Sequence, residues 1–378
     1  IKIALDYIPY LANEFIPYII SFLGLTKKCI VVDLDNTLWG GVVGEDGFDG
    51  IRLGPQPPGN AFIEFQKYLK ALSQRGILLA INSKNNFDDA IQVIREHPFM
   101  ILRESDFSCV KINWSNKASN MHEISQELNI GLDSFVFFDD DPVNRELIRE
   151  NMPEITTPEL PHDPSLYSEV IQSLHDFSTF QITSEDTNRG QMYLEQKQRI
   201  ESQNSISDIS EFLKKLNLEV KIKKTNSFTI PRISQLTLKT NQFNLTTKRY
   251  QEDQIKEFSK DKNILIGCAQ IKDKFGDNGI TGVFIVEKTN SDEWFLDTFL
   301  LSCRVMGREA EKAILYFIIN EAKNNKIKKL KAKFILTEKN EPAKKFLSDC
   351  QFYEKNGFWI YNLDKPFNMP NFLTLSEE

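Results

Sequence analysis

Cysteine is scarce in this chain of 378 residues. The five that occur are widely scattered and no two of them form a CxxC pair, which argues against an oxidising compartment. No signal peptide is recognisable in the sequence either. We therefore expect a reduced, cytoplasmic setting.

Long apolar runs are also absent. The N-terminal run LDYIPYLANEFIPYIISFLGL is interrupted by Pro9, Glu14 and Pro17, which makes it a poor membrane span. We expect no membrane association, and we expect residues 1–25 to be either a packed helix or the end of an upstream region. A hydrophobic content of 41% with 26% charged residues is typical of a folded globular protein.

Basic residues are few in the first half of the chain. Residues 1–204 carry a net charge of −13 and residues 205–378 one of +6, which gives −7 for the whole chain. The acidic half argues against nucleic acid as a partner. The basic half includes KNNKIKKLKAK at 323–333. It suits an acidic partner or a phosphorylated cofactor, or it is a solvated helix end that runs into an edge strand.

The chain is too long for one ordinary core, and its first half has the pattern of an α/β domain. In residues 26–180, apolar runs such as CIVVDLD (29–35) and ILLAINS (77–83) alternate with segments of helical period. This alternation is typical of a Rossmann-like parallel sheet with helices on both faces. Residues 150–180, rich in Pro, His and Asp, are predicted to be a connecting loop.

The second half has a different pattern. After a linker helix at 181–204, residues 205–366 show consecutive strands followed by a helix, which is typical of an α+β domain. Residues 367–378 are predicted to be a C-terminal tail.

Reactive side chains follow the apolar runs of the first domain. Asp33 and Asp35 end the first run, and Lys117 opens a helix after the third. The second and last runs end in further polar residues: Asn82, Ser83, Asp139, Asp140 and Asp141. Ligands of parallel sheets bind beyond the carboxyl ends of the strands, so neighbouring strands would bring these groups into one crevice. Clustered aspartates suit a hard cation, for which Mg²⁺ is the usual choice.

Such a crevice suits phosphoryl chemistry. A carboxylate nucleophile and a phosphoryl group repel each other because both are anions, and a metal ion between them removes that repulsion. A second carboxylate can protonate the leaving oxygen, while a hydroxyl and an ammonium hold the phosphoryl oxygens. Each element alone is equally well explained as a cap, a turn or a solvated lysine, but the four together favour a site.

The four elements resemble, in their order, the motifs of the haloacid dehalogenase superfamily: DLDNT, a strand-end Ser, a Lys and an acidic pair. This resemblance implies that Asp33 is the nucleophile and Asp35 the general acid and base. It implies a phosphate-binding set of Asn36, Thr37, Asn82, Ser83 and Lys117. It implies Mg²⁺ ligands among Asp33, Asp35, Asp139 and Asp140. Of the adjacent acids Asp140 is favoured, and Asp141 stands where an Asn is expected.

The entrance to the site is predicted to have a minimal cap. Between Asp35 and Asn60 lies only a glycine-rich stretch, enough for a hairpin flap but not for a lid domain. The stretch from Ser83 to Lys117 is consumed by the sheet and its helices. The open site suits a phosphate carried on something bulky, or a small molecule that a partner closes over.

A closer resemblance, to the FkbH-like family, spans almost the whole chain from residue 26. The similar stretches are LDNTLWGGVVGEDG, INSKNN, INWSNK, FFDDDPVNRE, TNQFNLTTKRY and LSCRVMGREAE. The resemblance implies a phosphatase-like domain fused to an acetyltransferase-like (GNAT-like) domain. It also implies that phosphate is removed from a glycolytic acyl phosphate and that the glyceryl group passes to an acyl carrier protein thiol.

The second domain offers candidates of its own. Arg304, Gly307 and Arg308 lie between a strand and a helix and approximate the R-x-x-G-x-G/A loop that binds a pyrophosphate. Glu309 replaces the final small residue and would repel a pyrophosphate, so this segment is either a cofactor loop or a simple turn. Cys303 is either the carrier of a transient glyceryl thioester or a packed cysteine.

Three functions remain open on the sequence. The favoured one is a Mg²⁺-dependent phosphoryl hydrolase or transferase that works through an aspartyl-phosphate and passes a glyceryl group from a small phosphorylated substrate to an acyl carrier protein. The second is a plain phosphatase of a small metabolite with a non-catalytic second domain. The third is a scaffold module, which the intact motif set disfavours.

Overall fold

The computed structural model describes residues 4–204 and 208–378. The chain divides into two compact units, Ile1–Leu194 and Glu195–Glu378. The predicted start of the second domain at residue 205 lies outside the described residues. Each unit has its own sheet and its own hydrophobic core.

The first unit is built on a four-stranded parallel sheet. Its strands are β1 (Cys29–Val32), β2 (Leu78–Ser83), β3 (Phe107–Ile112) and β4 (Phe135–Phe138). Its helices are α1 (Ile8–Leu23), α2 (Val43–Asp46), α3 (Gly59–Gln74), α4 (Phe87–Glu96), α5 (Lys117–Leu128), α6 (Pro142–Asn151), α7 (Tyr167–Ser173) and α8 (Ser184–Thr187), and α9 (Arg189–Asn204) runs on past the division.

The sheet order is β3-β2-β1-β4, which gives β1 an interior position. Every residue of β1, β2 and β4 is buried, as expected for parallel strands that are covered on both faces. Helix α3 packs through Phe62, Phe65 and Leu69, which lie on one helical face. The Phe65 ring meets the Phe138 ring edge-on, with centroids 5.5 Å apart. The predicted α/β class is confirmed.

Residues 150–180 are not the connecting loop that the sequence predicts. They contain α7, and four apolar side chains of the segment belong to the core of the first unit: Leu160, Tyr167, Ile171 and Phe177. The Thr156 backbone also pairs with Val136 at the edge of the sheet. A few well-placed apolar residues therefore anchor a segment whose composition is otherwise typical of a loop.

Helix α1 has no buried residue, which disfavours the first of its two expected forms, a packed helix. The other, the end of an upstream region, stays a prediction. Pro17 lies inside α1, where its ring removes one backbone hydrogen bond. Among the described residues, no helix combines the length and the apolar character that crossing a membrane requires.

The second unit is built on a larger mixed sheet. Its strands are β5 (Leu218–Lys224), β6 (Phe243–Asn244), β7 (Ile264–Asp273), β8 (Gly276–Glu287), β9 (Glu293–Leu301), β10 (Lys329–Ala332), β11 (Tyr353–Lys355), β12 (Phe358–Asn362) and β13 (Leu373–Glu377). Its further helices are α10 (Ile209–Lys215), α11 (Ile230–Lys239), α12 (Glu252–Phe258), α13 (Ala310–Asn324) and α14 (Glu341–Asp349).

The order of the main path is β11-β12-β10-β9-β8-β7-β5-β13, and β6 pairs with β9. Parallel pairs β9–β10 and β5–β13 are combined with antiparallel neighbours, so the predicted α+β class is confirmed. The predicted tail at 367–378 instead contains β13, whose Leu373 is buried. A free strand edge on β5 supplies the backbone partners that this short segment needs.

Candidate active site

Asp33 and Asp35 follow β1 at the carboxyl edge of the parallel sheet. The Asp33 backbone N–H donates to the Phe138 carbonyl at 2.9 Å, which holds Asp33 in line with the strand. Asn36 then has a φ of 54°, a left-handed conformation that Asn adopts more readily than most residues. The chain therefore turns away directly after the two carboxylates.

Three of the predicted carboxylates converge at this edge. One oxygen each from Asp33, Asp139 and Asp140 lie within 4.8 Å of one another. Lys117, the first residue of α5, joins them. Its Nζ lies 2.8 Å from Asp33 Oδ1 and 2.5 Å from Asp139 Oδ2. The structure thus brings four of the predicted site residues together.

The hydrogen bonds distinguish the two adjacent acids. Besides its contact with Lys117, Asp139 accepts hydrogen bonds at Oδ1 from the Asp141 backbone N–H at 2.9 Å and from Asn144 Nδ2 at 3.3 Å. The Asp140 carboxylate accepts no hydrogen bond from any other described residue. Asp139 is therefore occupied with protein contacts, whereas Asp140 has oxygens to spare for a ligand.

The electrostatics of the cluster indicate an excess of negative charge. Burial alone disfavours the Lys117 ammonium, but the attraction of Asp33 and Asp139 outweighs that effect and raises the pKa of Lys117. Burial, together with the charges of Asp33 and Asp139, raises the pKa of Asp140 to about 7. One ammonium thus does not balance three carboxylates, and a further cation would.

The residues present fit a divalent metal ion. Asp33 Oδ1 is buried and faces the Lys117 ammonium at 2.8 Å, and it accepts no hydrogen bond from any other described residue. Carboxylate oxygens that have few donors and lie within one small volume suit a hard cation such as Mg²⁺. Asp33 and Asp140 are therefore the ligands that the structure favours.

Asp35 lies outside this cluster. Its Oδ1 accepts hydrogen bonds from Trp39 Nε1 at 2.8 Å and from the Val43 backbone N–H at 3.1 Å, and its Oδ2 accepts one from Asn85 Nδ2 at 2.8 Å. Burial raises the pKa of Asp35 although these three donors oppose the rise. The side chain is thus held as a general acid requires, and its oxygens are not grouped with the other carboxylates as metal ligands.

The predicted phosphate-binding residues divide into two groups. Ser83 ends β2, and the pairing of Ile81 with Val32 places it beside the turn that carries Asp33. Asn36 also lies in that turn, and its side chain accepts a hydrogen bond from the Gly41 backbone.

Thr37 and Asn82 are fully buried, as are Ser83 and Lys117, so only their hydrogen bonds indicate what they do. Thr37 Oγ1 accepts a hydrogen bond from the Asp140 backbone N–H at 3.2 Å. Asn82 Nδ2 donates to the Lys117 carbonyl at 2.9 Å. The Asn82 amide therefore positions the start of α5, and the phosphate-binding role of Thr37 stays a prediction.

Three side-chain roles escape the sequence reasoning: those of Trp39 and Asn85, which hold Asp35, and that of Arg145. The Arg145 guanidinium is buried, and its Nη1 donates at 2.7 Å to the carbonyls of both Asp139 and Asp140. It thereby positions the end of β4. Asp141, whose role the sequence leaves undefined, caps α6 by accepting from the Val143 N–H at 2.9 Å.

The candidates of the second unit lie after β9. Cys303 begins a single 3₁₀ turn, and of the five cysteines, all in described parts of the chain, it is the one that is not buried. Arg304 and Arg308 are buried, and Arg308 donates to Asp273 at 2.9 Å. Gly307 is exposed with a φ of 77°. Neither guanidinium is therefore offered to a pyrophosphate in solvent.

Comparisons with known proteins give partial likenesses. No family model matches the chain, and no curated protein matches it. The N-terminal part of a Bacteroides fragilis protein, solved with Mg and described as containing a phosphatase domain, is 44% identical over 47% of this chain and 48% of its own, with a TM-score of 0.46. The chain thus matches about half the length of that structure.

Other solved structures are similar at low identity. A ribosomal-protein alanine N-acetyltransferase from Escherichia coli is 12% identical over 39% of this chain and 96% of its own, with a TM-score of 0.31. A GNAT-family acetyltransferase from Staphylococcus aureus is 18% identical over 38% of this chain and 99% of its own, also with a TM-score of 0.31.

Proposed function

We propose that the first unit is a Mg²⁺-dependent phosphatase or phosphotransferase that works through a phosphoryl group on Asp33. The observation that carries this proposal is the cluster of Asp33, Asp140 and Lys117 at the carboxyl edge of a parallel sheet. A 44% identical structure described as a phosphatase domain with Mg supports it. Asp33 and Asp140 would hold the ion, which would offset the repulsion between the nucleophile and the phosphoryl group.

The residues of the chain perform the remaining steps. An Asp33 oxygen attacks phosphorus, and the bond from phosphorus to the leaving oxygen breaks. Asp35 gives its proton to that oxygen and then takes one from the water that attacks phosphoryl-Asp33, so phosphate leaves and Asp33 is restored. Lys117 orients Asp33, and the Ser83 hydroxyl donates to a phosphoryl oxygen.

Hydrolysis of p-nitrophenyl phosphate with Mg²⁺ tests this mechanism. The wild-type protein should release phosphate, and Asp33→Asn should reduce the rate to background because a neutral amide is a poor nucleophile. The matched control is Asp88→Asn, at an exposed position in α4. Circular dichroism verifies that both variants fold. Turnover by folded Asp33→Asn would exclude the mechanism.

We further propose that the physiological substrate is a small phosphorylated acyl donor and that its glyceryl group passes to an acyl carrier protein. The motif resemblance supports this, and so does Cys303, which is half-buried where the other four cysteines are buried. The Cys303 thiolate attacks the acyl carbon, the bond from that carbon to the phosphate oxygen breaks, and phosphate leaves. The carrier thiol takes the glyceryl group by thioester exchange, which releases the Cys303 thiol. A phosphate ester elsewhere on the donor would be removed through phosphoryl-Asp33 as described above.

The second candidate function is a plain phosphatase. The burial of Arg304 and Arg308 favours it, because it removes the expected pyrophosphate contacts from the second unit. Intact-mass spectrometry after incubation with the acyl phosphate, Mg²⁺ and an acidic carrier protein separates the two. Glyceryl transfer predicts an adduct that Cys303→Ala removes and Cys350→Ala, at a buried cysteine, retains. Phosphate release without any adduct selects the plain phosphatase.

A further inference from the structure

A cavity of about 640 Å³ opens beside the carboxylate cluster, within the first unit. Asp140 belongs to the cluster and also lines this cavity, so the two spaces adjoin. Its apolar wall includes Phe62 and Leu160, and its polar wall includes Arg52 and Tyr167. Its volume lies in the range of small-molecule sites in proteins.

The shape of the cavity depends on the glycine-rich flap. The backbones of Gly40 and Arg52 pair through two hydrogen bonds, of 3.1 and 2.7 Å. A Cβ atom on Gly40 would lie 2.9 Å from the Phe62 ring and 3.1 Å from Arg52 Cβ. Tyr167 closes the other side, where its hydroxyl donates to the Asn36 carbonyl at 3.1 Å. A side chain at position 40 would therefore crowd the cavity wall.

Four charged side chains line the cavity, and three of them have a role already. Asp140 belongs to the cation cluster, and Asp141 caps α6. Arg145 bonds the end of β4 and pairs with Glu159 at 2.7 Å. Arg52 is exposed, and no carboxylate of the described residues pairs with it. Its positive charge is thus free to meet a ligand in the cavity.

We propose that Arg52 binds a second anionic group of the substrate, at the end remote from the phosphoryl group that Asp33 attacks. This inference rests on the proposed phosphatase activity and names the residue that would select its substrates: small molecules with a phosphoryl group at one end and a carboxylate or phosphate at the other. A guanidinium forms paired hydrogen bonds with either anion, so Arg52 is a specificity-determining residue for both.

Three probes that share one phosphoryl end test the assignment. Glycerol 3-phosphate has no second anionic group, 3-phosphoglycerate has a carboxylate, and glycerol 1,3-bisphosphate has a phosphate. For each anionic probe, its kcat/KM is divided by that of glycerol 3-phosphate. We expect Arg52→Met to lower this ratio by about 10- to 100-fold, as for the loss of a charged hydrogen bond. Arg52→Lys should retain part of the preference. The anionic probe whose ratio falls further in Arg52→Met, 3-phosphoglycerate or glycerol 1,3-bisphosphate, identifies the natural anionic group.

The control is Arg75→Met. Arg75 is also exposed, and it follows α3 immediately before β2, at the opposite edge of the sheet. It should leave both ratios unchanged. An unchanged ratio in Arg52→Met, with an active wild-type enzyme, would overturn the inference and leave the phosphatase proposal standing.

Calorimetric titration with Mg²⁺ and the same probes makes the two failures distinguishable. If the wild-type protein hydrolyses no probe, the phosphatase proposal is contradicted. A binding preference for the anionic probes that depends on Arg52 would still support the second-anion site. Absence of both hydrolysis and preference would overturn both.

Discussion

Replacing Lys117 with methionine tests how the buried charges of the site are balanced. The variant preserves most of the side-chain volume and removes the ammonium that contacts Asp33 and Asp139, whose side chains are only 10% and 0% exposed. Removing one partner of a buried ion pair costs about 3–5 kcal/mol, because the other charge is left uncompensated. We expect the free energy of unfolding to fall by about that amount at neutral pH without Mg²⁺.

Urea unfolding followed by circular dichroism measures this loss, and Lys111→Met is the matched control. Lys111 lies in β3 and contacts Glu123 at 2.9 Å and Glu127 at 3.3 Å, but the Glu123 side chain is 55% exposed. An exposed pair contributes about 0–1 kcal/mol, so the control should lose little stability.

The pH dependence sharpens the test. Without the ammonium, the buried carboxylates take up a proton more readily, so the deficit of Lys117→Met should shrink between pH 7 and pH 5. Adding Asp139→Asn should recover most of the stability, because it removes the charge left unpaired. A loss at neutral pH no larger than that of Lys111→Met would refute the reasoning.

Three further outcomes are expected. Mg²⁺ should raise the Tm more at pH 8 than at pH 6, measured by differential scanning fluorimetry. The reason is that the pKa of Asp140 is raised to about 7, so at pH 6 the folded protein holds a proton on Asp140 that competes with Mg²⁺. The metal-free fold loses the stability due to this proton as pH rises from about 4 to 7. Asp140→Asn should abolish this pH dependence, and an equal shift at both pH values would contradict it. Trp39→Phe removes a hydrogen-bond donor from Asp35, so kcat should fall about 10-fold. The limb of the pH–rate profile that is due to Asp35 should also move to higher pH, and an unchanged profile would disprove this. Arg145→Met should weaken Mg²⁺ binding at least about 10-fold, measured by calorimetry. Arg149→Met, which loses an ion pair with the exposed Glu159, should not weaken it. Equal Mg²⁺ affinities of the two variants would exclude a positioning role for Arg145.

The parallel sheet was predictable from the sequence because two of its strands, β1 and β4, are apolar at every position. Only a strand covered on both faces tolerates a run such as that of β1 or β4. The carboxylates of the site were predictable for the complementary reason. Asp33 comes directly after β1, and Asp139 and Asp140 come directly after β4, where the ends of parallel strands share one edge.

What the sequence did not reveal depends on contacts between distant segments. Asn82 looked like a phosphate ligand, but the placement of α5 brings the Lys117 carbonyl to its amide. Nothing in the local sequence distinguishes Arg145 from other helical arginines, and only the turn from β4 into α6 directs it onto two strand-end carbonyls. Tyr167 packs in the core of the first unit. Leu373 packs in the core of the second unit because β13 pairs with the edge of β5. No local pattern encodes such long-range partners.

The most direct test of the account is whether Asp33 becomes phosphorylated during turnover. The enzyme is mixed with Mg²⁺ and the phosphorylated substrate, quenched in acid within the first turnover, digested, and analysed by mass spectrometry. We predict that the peptide containing Asp33 gains the mass of one phosphoryl group, and that the same peptide of Asp33→Asn gains none. Rapid phosphate release by a wild-type enzyme whose Asp33 stays unmodified at every quench time, or a phosphoryl group on another residue, would contradict it.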